Sequence, residues 1–139
     1  MIKQNRMIGV IGGMGPYSSA YFYKLLLKKS SDLYGAKNNS DFPEILIDSV
    51  PVPDLISNTE KLTEAKSMLI QRVKKMNDYG VENIGMVCNT AHILYKELSK
   101  VSKVEFHSMI DLVAEKAERL NLHRVCVLAT PTTITFNLY

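Results

Sequence analysis

Short apolar runs recur along this chain, separated by stretches long enough for a helix, and they constrain its fold more than any other feature. The runs are "MIGVI" (7–11), "EILIDSV" (44–50), "VENIGMVC" (81–88) and "RVCVLAT" (124–130), with a shorter one in "KVEFHSMI" (103–110). They are rich in β-branched residues and do not alternate with polar ones, which is the mark of strands covered on both faces. The segments between them repeat at helical spacing, as in Leu62, Ala65, Leu69, Val73 and Met76. Pro16 suits the first turn of a helix, and Gly80 suits the residue that closes one. The pattern predicts helices over 17–29, 60–80 with Asn58 or Thr59 as cap, 91–98 and 110–121, with loops at 33–43 and 51–59. A length of 139 residues and an alternation of strand and helix predict an α/β fold, a parallel sheet with helices on both faces.

In such sheets ligands gather beyond the carboxyl ends of the strands. Four polar or glycine-rich stretches fall there: "GGMGP" (12–16), "PVPD" (51–54), "CNTAH" (88–92) and "TPTT" (130–133). Gly12 and Gly13 permit a tight turn and a close approach to the main chain, and the helix after them offers unpaired N–H groups to an anion. The spacing is not that of a dinucleotide-binding loop. Cys88 ends a strand and precedes a helix, so the positive end of the helix dipole is expected to lower its pKa and favour the thiolate. Asn89 and Thr90 beside it can hold a carboxylate or cap the helix. His92 either tunes Cys88 or is a satisfied histidine on the helix. Cys126, inside "VCVLA", is expected in the core, and Thr130, Thr132 and Thr133 either cap the next helix or bind a second anionic group.

Composition removes other classes. Seventeen basic and 14 acidic residues leave a net charge of +3, too mild and too scattered for nucleic acid. The two cysteines have no metal-ligand spacing, so no metal is expected. No run reaches the ~20 apolar residues that span a bilayer, and the glycine-broken start lacks the cleavage site of a signal peptide. A reducing cytoplasm and no membrane partner are expected.

"IGGMGP", "CNTAH" and "LAT" with a threonine three residues on, in this order, resemble the aspartate/glutamate racemase family, and the proline loop "PVPD" is similar too. The resemblance covers essentially the whole chain. It implies a cofactor-independent amino-acid racemase of two α/β domains, with one catalytic cysteine from each flanking the substrate. One cysteine would remove the α-proton as thiolate and the other would protonate the opposite face. By motif, Cys88 is one acid/base, and Gly13, Met14, Asn89, Thr90, Thr130 and Thr133 contact a small amino-acid or dicarboxylate substrate. The implied organisation is a first domain at 1–103 and the beginning of a second at 104–139.

Two departures from the family pattern matter. Leu55 stands where aspartate-type members usually carry the arginine that reads a side-chain carboxylate, which weakens selection for an acidic side chain. The partner cysteine, expected further downstream, is not among the 139 residues, so the chain is expected to be either a fragment, the favoured reading, or a one-cysteine relative, and inactive or nearly so alone. Two other functions fit the residues: a dicarboxylate-binding module without chemistry, and an enzyme like a hydantoin racemase or maleate isomerase. Apolar strands left without neighbours predict self-association, in the simplest case a homodimer.

Overall fold

The computed structural model describes residues 6–53 and 59–139. The strands β1 (Ile8–Gly12), β2 (Ile45–Ser49), β3 (Asn83–Met86) and β4 (Glu105–His107) form one parallel sheet in the order β2-β1-β3-β4. The helices are α1 (Pro16–Tyr34), α2 (Thr59–Tyr79), α3 (Tyr95–Val101), α4 (Met109–Arg119) and α5 (Pro131–Thr135). The chain leaves β1 for β2 and returns to β3 on the other side of β1. The carboxyl ends of β1 and β3 therefore flank the point where the strand order reverses, the usual place for a ligand in an open α/β sheet.

Strand alternation assigns the two faces. A Cβ built on Gly9 would stand 2.9 Å from the Met76 sulfur and 3.3 Å from Val81, so Gly9 looks toward α2. On this side Ile11, Leu69, Val73, Met76, Ile84 and Leu98 are fully buried and form the core. The Lys66–Glu97 ion pair, at 2.9 Å, ties α2 to α3 at the surface. The opposite face, carrying Ile8 and Val10, is covered by α1 only in part. A groove of about 720 Å³ remains there, lined among others by Ile8, Val10, Phe22, Leu26, Leu33 and Leu112.

Most predicted elements form close to their expected bounds. The first helix runs on to Tyr34, past its expected end at 29, because its stop signal is Gly35. Gly35 takes φ +75°, and the amides of Gly35 and Ala36 return to the carbonyls of Ser31 and Ser30.

The run at 124–130 departs from expectation. It carries no regular structure, Val125 and Leu128 are 67% and 93% exposed, and Cys126 is an exposed free thiol rather than a core residue. A β-rich sequence becomes a strand only when a neighbouring strand offers a ladder and a face to pack on, and among the described residues none pairs with this one. The apolar face of α4 is in the same condition: none of its residues is buried, and Leu112 and Val113 are half exposed. The expected division at 103/104 falls just before β4, which is the fourth strand of the same sheet. Among the described residues no helix is long and apolar enough to cross a membrane.

Candidate functional site

The ends of three strands are drawn level by backbone hydrogen bonds. Val87 donates to Ile11 O at 2.9 Å and Val50 donates to Gly12 O at 3.0 Å. The glycine turn and the cysteine stretch thus leave the sheet side by side.

In the glycine turn, Gly13 has φ +86°. Its amide is engaged within the turn. It donates to Ser19 Oγ at 2.9 Å, and the Ser19 hydroxyl, buried in the first turn of α1, donates to Gly15 O at 3.1 Å. Sequence reasoning passed over Ser19; a serine six residues after the turn glycine is the signal that marks it. Met14 and Cys88 both pack, partly buried, against the core cluster.

Cys88 leads into a 3-10 turn, Thr90–Leu94, and α3 begins only at Tyr95. A helix dipole is therefore poorly developed behind the thiol. Burial pushes the Cys88 thiol above the ordinary cysteine range, against the amides of Ala91 and Thr90, which pull it down. This corrects the expected depression: two amides offset part of the desolvation, not all of it.

Thr90, Thr130 and Thr133 meet although 40 residues of chain separate the first two. Thr90 Oγ1 lies 3.1 Å from Thr130 Oγ1 and 3.4 Å from Thr133 Oγ1, and the last two are 3.1 Å apart. Thr130 also caps α5, accepting from the Thr133 amide at 3.3 Å. The cap and the anion-binder readings of these threonines are thus compatible, since three hydroxyls in a triangle can turn their protons toward a carboxylate. Asn89 Oδ1 accepts from the Tyr139 hydroxyl at 2.7 Å, a partner nothing in the local sequence announces. The structure brings together Cys88, Asn89, Thr90, Thr130 and Thr133, with Gly13 and Met14 at the end of the adjacent strand. Leu55, with Asp54 before it, lies outside the described residues.

His92 is buried and has no role as a direct partner of the sulfur. Its Nδ1 lies 2.7 Å from Cys88 O, and its Nε2 accepts from the Met109 amide at 3.1 Å. Among the described residues no cluster of His, Cys, Asp or Glu has the makings of a metal site. The large groove on the α1 face includes none of Cys88, Asn89, Thr90, Thr130 or Thr133 in its lining.

Comparison with known proteins agrees with the motif reading. The model of the family described as Asp/Glu/hydantoin racemase matches residues 11–139. The broad specificity amino-acid racemase RacX of Bacillus subtilis (strain 168) is 33% identical over 135 residues, covering 96% of this chain and 58% of that protein. Among solved structures, an aspartate racemase homologue from Pyrococcus horikoshii OT3 superposes with a TM-score of 0.80 at 30% identity, covering 95% of this chain and 57% of that one. The Picrophilus torridus aspartate racemase gives 0.77 at 30% identity, covering 94% and 55%. The chain thus spans somewhat over half the length of the relatives it matches.

Proposed function

The chain belongs to the Asp/Glu/hydantoin racemase family, and on that footing we propose that it carries one half of a cofactor-independent racemase site in which Cys88 exchanges a proton with the α-carbon of an amino acid. The observation that carries the reading is the convergence of a half-buried thiol, Asn89 and the Thr90–Thr130–Thr133 triangle at the strand ends.

The chemistry is balanced within such a site. The Cα–H bond breaks, its proton goes to the Cys88 sulfur as thiolate, and the electron pair spreads into the substrate carboxylate. A second acid/base on the opposite face returns a proton and completes inversion. Asn89, Thr90, Thr130 and Thr133 donate hydrogen bonds to the carboxylate as its charge grows, and Gly13 and Met14 bound the site from the glycine turn. A thiol held in its protonated form is the right resting state for the direction in which Cys88 gives its proton. As a thiolate it is the stronger base for having a raised pKa. The substrate class is a small amino acid: two relatives are named for aspartate and one for broad specificity.

The second acid/base belongs to a further α/β unit, with β4 counted in the first. The 139 residues alone are therefore expected to show little or no racemisation of D- or L-aspartate and glutamate. Turnover by this chain comparable to that of a complete relative would overturn the two-cysteine arrangement.

Self-association belongs to the same proposal. Leu112, Val113, Leu120, Leu122 and Leu128 are all about half exposed or more, apolar side chains that a second copy could cover. Sedimentation is expected to give a dimer or larger species; a monodisperse 15.7 kDa particle would count against it.

A further inference from the structure

We propose that His92 is a positioning residue, an imidazole clasp that fastens the carbonyl of Cys88 to the first amide of α4 and so fixes how the cysteine peptide faces the site. The proposal rests on the reading that Cys88 is the reacting thiol.

The geometry assigns the tautomer. The Met109 amide is a donor, so Nε2 must accept from it at 3.1 Å. A neutral imidazole then carries its proton on Nδ1, which donates to Cys88 O at 2.7 Å. Both ring nitrogens are occupied by backbone groups, so neither is available to a substrate. His92 is 5% exposed, and its ring stacks on Tyr95, with centroids 6.1 Å apart and planes 11° from parallel. Tyr95 is itself anchored, its hydroxyl donating to Phe106 O on β4 at 3.0 Å. At the other end of the clasp, α4 is set by its cap: Ser108 Oγ accepts from the Asp111 amide at 3.1 Å.

The consequence for Cys88 follows from peptide geometry. In a trans peptide the carbonyl and the next amide point in opposite directions. Holding Cys88 O toward His92 points the Asn89 amide directly away from it and fixes the start of the 3-10 turn whose amides face the sulfur. The same turn is closed by the His92 amide donating to Asn89 O at 3.0 Å. Without the clasp the peptide of Cys88 can rotate, and the thiol loses its fixed packing against the core.

The clasp works only while His92 is neutral, since a protonated Nε2 would face the Met109 amide donor to donor. Burial keeps the imidazole below its ordinary range, while Cys88 O, Asp111 on α4 and Asn89 pull it up. The other titratable groups around it are Lys96 and Tyr95 of α3, which line a shallow hollow with it and Asp111; residues 136–138 bring none.

The test reads thiol reactivity and needs no turnover. In a Cys126→Ser background, iodoacetamide alkylation of Cys88 is followed against pH for the parent, His92→Leu and His92→Asn. Asparagine keeps an N–H donor for Cys88 O; leucine keeps neither bond. Burial is the largest cause of the raised thiol pKa, so the leucine variant is expected to alkylate about threefold faster or more at neutral pH, equivalent to about half a pH unit, with asparagine returning toward the parent. A folded leucine variant with the parent's profile would overturn the proposal. Should leucine not fold, nitrogen NMR of the parent decides: the proton is expected on Nδ1, with Met109 amide exchange accelerating as His92 titrates below its ordinary 6.5, and a proton on Nε2 would overturn the clasp. Failure here leaves the Cys88 proton-transfer reading standing, because that reading is decided by substitution of Cys88 itself.

Discussion

Cys88→Ser is expected to lower solvent deuterium exchange at the substrate α-carbon in the complete enzyme by about 10²–10⁴-fold, the usual contribution of a positioned acid/base. Serine is nearly isosteric, so packing against the core cluster is kept while the ionisable group is lost. The sign of the pH dependence follows from the environment. Burial raises the thiol pKa, so the thiolate fraction near neutral pH is smaller than that of a free cysteine. The proton-abstracting direction should therefore climb as pH rises through the alkaline range. Iodoacetamide should follow the same limb on this chain, and in the Cys126→Ser background the signal belongs to one sulfur. Exchange that survives the serine substitution would remove Cys88 as the base and move the proton transfer to another group. A thiol titrating below the free-cysteine range would contradict the burial argument and restore the helix-dipole one.

That contrast shows where sequence reasoning reached and where it stopped. The parallel sheet was legible because its signal is local: "MIGVI" and "EILIDSV" both form strands, the second a half-buried edge strand rather than a buried one, and the 3-4 spacing in 59–79 closes on Gly80 with φ +79°. The nearness of the glycine turn and "CNTAH" was legible because a parallel sheet puts its carboxyl ends on one edge, whereas "TPTT" reaches Thr90 without a strand before it. The sign of the Cys88 shift was not, since it depends on which of two opposed effects is larger, and burial is a property of the packed molecule. "RVCVLAT" misled for a related reason. Its composition describes a preference, while strand formation needs a neighbour that the composition does not contain. His92 and Tyr139 were hidden because their partners, Met109 and Asn89, lie 17 and 50 residues away.

Gly13→Ala is expected to cost about 3–4 kcal/mol of folding stability, a large share of the ~5–15 kcal/mol typical of a domain. Gly13 has φ +86°, and a Cβ there would lie 2.4 Å from Val50 N, 2.6 Å from Val50 O and 2.8 Å from Ser49 C. The left-handed conformation alone costs a non-glycine residue ~1–2 kcal/mol. The clash adds to it because every atom met is backbone, with no flexible side chain to swing aside. Relief requires moving the end of β2, and Val50 cannot move without giving up its hydrogen bond to Gly12 O, while Gly13 cannot move without giving up Ser19 Oγ. Gly85→Ala is the matched control: it lies in β3 with nothing within 4 Å of the added carbon, and removing a strand glycine should leave stability unchanged or raise it by up to ~1 kcal/mol. Urea unfolding of the two variants separates two roles for the glycine turn. If Gly13 serves only to let a ligand approach the main chain, both variants unfold with the parent; if the turn is what locks β1 to β2 beneath the site, only Gly13→Ala shifts, and it loses stability whether or not a ligand is ever bound.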